Sequence, residues 1–203
     1  KSSYTVLLEE SQQLLREIVV RPKDDSYLYK LLAQCRDNPG DKGQSKAYYM
    51  LKTVAGQRQI ELVEGYYNAS VSGYELTDLK LKEGRLALQP FEDRLFGSFE
   101  SSRAITMMKW TNADAFFPTS PLDLTRADLK KRFDLQLDKK YLDPHQDSVY
   151  VISFMPRDTS GLYFSGSIWI NTSKDYVAKI LLTTSHSLRH PFRPAFHTDT
   201  ISN

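Results

Sequence analysis

The hydrophobic pattern of residues 147–185 predicts three consecutive β-strands. Residues 148–155 are rich in β-branched and aromatic side chains, which favour a pleated and packed surface. In residues 162–170, apolar and polar side chains alternate, as they do in a strand with one buried face. A third strand is predicted over residues 176–183 after a short polar turn, and such short connections favour antiparallel pairing. The predicted inward side chains of the second strand are Leu162, Phe164, Ile168 and Ile170.

Gly166 lies in the middle of the second predicted strand, where a glycine weakens packing. We expect a bulge or a bend of the sheet at this position, with close approach of a ligand to the backbone as the alternative. Strict alternation in the third strand predicts two faces. Val177, Lys179 and Leu181 form one of them, and Ala178, Ile180 and Leu182 form the other.

A helix is predicted over residues 26–37. Its apolar residues recur at helical spacing, Asp24 or Asp25 precedes it as an N-cap candidate, and Asn38-Pro39-Gly40 ends it. The apolar positions are Leu28, Leu31, Leu32 and Cys35. Upstream of this helix, residues 4–9 and 14–20 predict two short strands.

A long hairpin is predicted from residues 45–55 and 57–71, joined near Gly56. Its tyrosines Tyr48, Tyr49, Tyr66 and Tyr67 are placed to meet across the strands, where aromatic pairs stabilise a sheet. After the hairpin, the pattern predicts a strand over residues 74–82, a turn at Glu83-Gly84 and a strand over residues 85–88.

The second half of the chain also contains helix signals. Residues 101–110 predict a short helix, and Thr125-x-x-Asp128 resembles a capping box that opens another one before a strand over residues 132–137. The turn Asp143–Asp147 leads into the three-strand segment. These elements together predict an α+β fold with a large, curved antiparallel β-sheet and two or three short helices. A half-barrel like that of periplasmic lipoprotein carriers is one form of such curvature.

Composition limits the class of protein. The chain has 27 Lys and Arg against 25 Asp and Glu, so its net charge of +2 gives no electrostatic footprint for nucleic acid. With 12 Tyr and 10 Phe it has the side chains to form a packed core. No apolar run reaches the length of a membrane span. The single cysteine, Cys35, excludes an intramolecular disulfide, and we expect it to be a buried thiol.

Candidate chemistry is sparse. His186-x-x-x-His190 has a metal-binding spacing, but Pro191 follows and no glutamate accompanies the pair, so these two histidines are weak metal candidates. No nucleophile elbow or phosphate loop occurs, and Glu61 and Glu64 are predicted to face solvent. We therefore predict no catalytic residue and no cofactor. The candidate ligand groove is formed by aromatic residues, namely Tyr48, Tyr66, Phe164 and Trp169.

A family resemblance adds context to these patterns. Residues 4–25, YTVLLEESQQLLREIVVRPKDD, resemble the last strands and exit linker of a carboxypeptidase-regulatory-like β-sandwich. The rest of the chain resembles the uncharacterised domain that such modules precede in bacterial envelope proteins. The matching stretches are VEGYYNASVSG (63–73), LKLKEGRLAL (79–88), FPTSPLDL (117–124), ISFMPRD (152–158), FSGSIWINT (164–172) and RHPFRP (189–194).

The resemblance implies an internal fragment of a large exported protein of Gram-negative bacteria, located in the periplasm or at the outer membrane. Such proteins often continue into a barrel-like C-terminal region. The implied organisation is the end of the sandwich and its linker over residues 1–22, the α+β domain over 23–185, and the start of a linker over 186–203. The sandwich module carries no peptidase site, so no catalytic residue is implied by the resemblance.

Three functions are compatible with these expectations. The first is a non-enzymatic module that binds or positions an envelope protein, a peptide or a glycan. The second is a carrier that holds an acyl chain or another apolar lipid ligand in a groove of the curved sheet. The third is a hydrolase, which the absence of a nucleophile–base or metal pattern disfavours.

Overall fold

The computed structural model describes residues 25–38, 42–72, 75–98, 118–184 and 197–200. The strands predicted in residues 1–22, the helix predicted over residues 101–110, and the histidines His186 and His190 lie outside the described residues.

In the described residues, each of the two helices precedes a run of antiparallel strands. In chain order they are α1 (Ser26–Asp37), β1 (Lys42–Ala55), β2 (Arg58–Ser72), β3 (Glu75–Leu88), β4 (Arg94–Gly97), a 3₁₀ turn (Pro121–Asp123), α2 (Arg126–Arg132), β5 (Phe133–Leu142), β6 (Ser148–Pro156), β7 (Ser165–Asn171), β8 (Tyr176–Thr183) and β9 (His197–Thr200).

The α+β class with antiparallel sheets and short helices is confirmed. The described strands form three sheets, with orders β1-β2-β3, β5-β6-β7-β8 and β4-β9, and none of these described sheets closes on itself. The predicted large sheet is thus divided into smaller open sheets. Strand β9 lies in the segment predicted to be a linker and pairs with β4.

The main core lies between α1 and one face of the four-stranded sheet. Leu28 and Leu32 of α1 are buried against this face, and Ile152 and Ile168 are buried within it. The predicted apolar faces of α1 and β7 are therefore confirmed, except that Leu162 is exposed. The other buried members of this cluster are Tyr29, Cys35, Leu122, Leu129, Phe133, Leu135, Phe154, Phe164 and Ile170.

Two side chains of α1 fix it to the following elements. The Tyr29 hydroxyl donates a hydrogen bond to the Phe133 carbonyl at 2.9 Å, and the Arg36 guanidinium donates to the Leu124 carbonyl at 2.5 Å. Asp25 occupies the N-cap position of α1, but its side chain makes no capping hydrogen bond, so the prediction of Asp25 as a capping side chain is wrong.

The connection into β5 is held by two capping motifs. In the predicted one, the Asp128 amide donates to Thr125 Oγ1 at 3.2 Å and Thr125 Oγ1 donates to Asp128 Oδ2 at 2.7 Å. A second one begins at Ser120, whose amide donates to Asp123 Oδ2 at 2.9 Å. This second motif is not among the predicted elements, although Ser120-x-x-Asp123 has the same spacing as the first.

The predicted faces of β8 are wrong at Val177 and Ala178. Ile168 pairs with Ile180, but Ile170 pairs with Val177, so Ala178 is an extra residue in the strand. This bulge turns Val177 to the core side, together with Ile180 and Leu182.

The predicted turn at Glu83-Gly84 is also wrong, because β3 runs through both residues without a break. Gly84 pairs with Gly65 of β2, and a Cβ atom on Gly84 would lie 3.0 Å from the Glu64 carbonyl oxygen. A Cβ atom on Gly65 would lie 2.7 Å from the Tyr67 ring. These glycines make room for close contacts within the sheet and do not form a turn.

Position 166 requires glycine because the neighbouring strand β8 lies close to its backbone. Its φ is +153°, and a Cβ atom there would lie 1.9 Å from the Leu181 carbonyl oxygen. The bulge expected at Gly166 is found instead at Ala178, and the group that closely approaches the Gly166 backbone is strand β8.

We expect Gly166→Ala to lower the free energy of unfolding by about 2–5 kcal/mol, because it combines steric overlap with a backbone angle unfavourable for alanine. Gly43→Ala is the matched control, since a Cβ atom on Gly43 meets nothing within 4 Å. Urea unfolding of both variants measures the difference. Equal unfolding midpoints would show that the β7–β8 contact is not as close as described.

Candidate functional site

Tyr48 and Tyr66 form an aromatic pair on the three-stranded sheet. They lie opposite each other on β1 and β2, with ring centroids 4.9 Å apart and an angle of 39° between the ring planes. The predicted cross-strand contact is confirmed for this pair. Tyr49 instead faces Gly65, and Tyr67 faces Ala47.

Polar contacts hold the pair in place. The Tyr48 hydroxyl donates a hydrogen bond to one carboxylate oxygen of Glu64, and the Arg85 guanidinium donates to the other. Both hydrogen bonds lower the pKa of Glu64, and the one from Arg85 has the larger effect. The hydrogen bond that Tyr48 donates to Glu64 raises the pKa of Tyr48. Glu64 therefore stays ionised and Tyr48 stays neutral, which leaves the aromatic rings as the available surface.

Large side chains remain exposed around this pair. Tyr48 is 49%, Met50 46%, Val54 56% and Tyr66 58% exposed, and strand alternation places Tyr48, Met50 and Val54 on one side of β1. We call these four side chains the tyrosine face. They lie on the outside of a sheet whose opposite side is more buried.

Glu61 marks that opposite side. The prediction that it faces solvent is wrong, because the side chain is only 1% exposed. Its carboxylate accepts hydrogen bonds from Thr53 Oγ1 at 2.6 Å and from the Ser98 amide at 2.7 Å. These bonds join β1, β2 and the residue after β4, so they help to fix the support beneath the tyrosine face.

The other two predicted groove residues lie on the four-stranded sheet. Phe164 is buried in the main core, whereas Trp169 alternates with the buried Ile168 and Ile170 and lies on the opposite face of β7. The Lys179 ammonium is 4.5 Å from the centre of the Trp169 ring. The structure thus brings Tyr48 and Tyr66 together and places Phe164 and Trp169 elsewhere.

A groove of about 820 Å³ runs along the four-stranded sheet. Its lining mixes polar side chains, such as Asp134, Gln136 and Ser153, with apolar side chains, such as Leu137 and Met155. Internal contacts already engage several of these groups. Ser153 Oγ donates to Asp138 at 2.9 Å, and Arg157 pairs with Asp134 at 2.7 Å. This groove is not predicted from the sequence, although Ser165 and Ser167 alternate along β7.

The described titratable groups do not form a catalytic arrangement that we can identify. Cys35 lies in the core, which confirms the expected buried thiol, and burial raises the pKa of this thiol to about 12. Within the described residues, no group of three or more His, Cys, Asp or Glu side chains is arranged to hold a metal ion.

Asp123 is a structural acid with a shifted pKa. Burial raises its pKa to about 6, and its buried Oδ1 atom has no hydrogen-bond partner among the residues that the structure describes. The residue belongs to the 3₁₀ turn, which packs against α1 and not against the strands of the tyrosine face. Its raised pKa is therefore explained by burial in this turn, which outweighs the lowering effect of the hydrogen bonds with Ser120.

Comparison with known proteins gives distant structural similarity only. No protein-family model and no curated protein matches the chain. A crystal structure of MucB matches with a TM-score of 0.39 and 14% identity, covering 79% of this chain and 53% of MucB. The complex of MucA and MucB from Pseudomonas aeruginosa matches with a TM-score of 0.37 and 10% identity, covering 89% of this chain and 59% of the other.

The chain thus spans less than two thirds of the length of either matched structure. Among the described residues, no helix has the length and apolar character needed to cross a membrane.

We expect the pKa of Asp123 to make stability depend on pH. Because the folded-state value of about 6 lies above the ordinary 3.8, the fold favours the protonated acid, and stability falls as the pH rises from about 4 to 6. Asp123→Asn removes this titration and keeps an oxygen for the Ser120 amide. Relative to the unsubstituted chain, the variant should gain about 1–2 kcal/mol between pH 4 and pH 7, since solvent contact reduces the full value of the shift. Urea unfolding at both pH values measures the gain, and a stability difference that does not change with pH would contradict it.

Proposed function

We propose that the chain is a non-enzymatic module that binds a segment of a partner polypeptide on the tyrosine face. The observation that carries this proposal is the exposure of Tyr48, Met50, Val54 and Tyr66 on one face of a sheet. Contiguous exposed apolar side chains on a soluble domain are typical of interaction sites. Tyrosine and methionine are also enriched in protein–protein interfaces, as is the arginine that this surface presents in Arg85.

The chemistry of the surface favours a polypeptide over a glycan or a lipid. The two tyrosine rings are tilted by 39°, so they form an uneven surface and not a single flat platform for a sugar ring. Lys52, Glu64 and Arg85 lie around them and offer charges of both signs. A peptide can supply apolar side chains, charged side chains and main-chain hydrogen bonds to such a surface.

The described core argues against the carrier function. Leu28 and Leu32 of α1 and Leu129 of α2 occupy the apolar face of the four-stranded sheet, where an acyl chain would have to bind. The buried Cys35 likewise gives no support to a hydrolase.

The envelope location implied by the family resemblance is part of the proposal. We propose a periplasmic or outer-membrane-associated α+β module that follows the end of a β-sandwich over residues 1–22 and whose partner is another envelope protein. MucB has been solved in complex with MucA. The proposal of a polypeptide partner for this chain depends on the tyrosine face and not on that distant similarity.

Selection of binders from a random peptide library displayed on phage tests the proposal. We expect selected peptides to bind the chain and to lose at least about tenfold in affinity when Tyr66→Ser and Met50→Ser are combined, because exposed aromatic anchors carry much of the energy of such interfaces.

The matched control combines Met155→Ser and Leu162→Ser on the other half of the chain. These residues are 58% and 47% exposed, close to the 58% and 46% of Tyr66 and Met50. Failure to select any peptide, or loss of binding only in the control variant, would contradict the proposal.

A further inference from the structure

Strand β1 is a long edge strand. Within the described residues it is hydrogen-bonded to β2 on one side, and no strand pairs with its other side. Its register with β2 is regular from Lys42 to Thr53, and the single irregularity follows at Val54. An edge of this kind presents a row of main-chain amide and carbonyl groups that an additional strand can pair with.

The other described edges of the larger sheets are less regular. Strand β3 has two register shifts against β2, and Asp78 within it has a φ of +52°. Strand β5 is interrupted near Asp138, and β8 is interrupted at Ala178. Bulges twist an edge away from pairing, so β1 is the best template for strand addition among these edges.

Strand β1 also has a one-sided charge. It contains Lys42, Lys46 and Lys52 and no acidic residue. All three lysines fall at even positions, so they lie on the same face as Tyr48 and Met50. The sequence of β3, at the opposite edge of this sheet, contains three acidic and three basic residues.

We propose that β1 is the docking edge for an extended, acidic segment of a partner polypeptide, which adds to the sheet as a further strand. This inference rests on the proposed function and defines the partner more closely. Acidic side chains of the added strand would lie beside the lysines, and its apolar side chains would lie beside Tyr48 and Met50.

The lysines also determine which strands are excluded. If a second copy of this chain paired β1 with β1, the lysine-rich faces of the two strands would lie side by side, and like charges in that position repel. Lysine on an edge strand normally discourages such association. An acidic strand would attract the same lysines, so the charge of β1 favours an acidic partner strand over a second copy of this chain.

The test uses the full chain and a short synthetic peptide in which glutamate alternates with valine and tyrosine. We expect the peptide to bind and to protect alternate β1 amides from hydrogen exchange. Its affinity should fall as salt is added, because salt screens the contacts between charges. Combining Lys46→Glu and Lys52→Glu should weaken binding at least about tenfold. Combining Lys80→Glu and Lys82→Glu on β3 is the matched control and should leave binding within about twofold, since these lysines lie at the other edge.

A charge-inverted peptide, with lysine in place of glutamate, distinguishes lost recognition from lost folding. It should bind the Lys46→Glu, Lys52→Glu variant and not the unsubstituted chain. Protection of β3, β5 or β8 amides, or binding that ignores the β1 charge reversal, would overturn the inference. If peptides bind the tyrosine face without protecting β1, strand addition is wrong while the proposed function stands. If no peptide of any charge binds, both are wrong.

Discussion

Burial of apolar side chains between α1 and the four-stranded sheet is the constraint on which this domain depends. Leu28 and Leu32 pack in the same core cluster as Ile152 and Ile168. Hydrogen bonds from Tyr29 and Arg36 attach the helix to the segments on either side of α2. Because interiors are packed as densely as organic crystals, a filled face has no room for a ligand. The same packing that stabilises this half therefore fills the space between α1 and the sheet, where an acyl chain would have to bind.

The three-stranded sheet has one exposed side and one more buried side. Its tyrosine face is left in contact with water, and its opposite side holds the buried carboxylate of Glu61, which is satisfied by Thr53 and the Ser98 amide. The close fit of the Tyr67 ring over Gly65 gives this side little freedom. Because contacts on the opposite side hold the strands in place, Tyr48 and Tyr66 can bind a partner with little loss of conformational entropy.

Much of the fold is predictable from local sequence patterns. Period-two alternation identifies β7 and its buried Ile168, helical spacing identifies α1, and the Thr125-x-x-Asp128 spacing identifies the start of α2. The Tyr48–Tyr66 pair is expected from the length of the hairpin and the turn at Gly56. These features depend on residues close in sequence or on a register that a short turn determines.

The errors arise where a contact from elsewhere in the chain decides the outcome. One extra residue, Ala178, moves Val177 to the core side, and alternation alone does not reveal such a bulge. Gly84 has the local pattern of a turn, but its partner Gly65 lies on another strand. Glu61 has charged neighbours in sequence, but its hydrogen-bond donor, the Ser98 amide, is distant in sequence. The division of the strands among separate sheets is a tertiary property of the same kind, and it explains why Phe164 and Trp169 are not beside the tyrosines.

Site-specific photo-crosslinking in the producing cell tests most directly the central claim, that the tyrosine face and not the groove is the binding surface. A photoreactive amino acid would replace Tyr66 in one variant and the groove residue Met155 in another, two positions with the same 58% exposure. The expected result is a discrete polypeptide adduct from position 66 and none from position 155. An adduct from position 155 alone, or an adduct with the mass of a lipid at either position, would contradict the account.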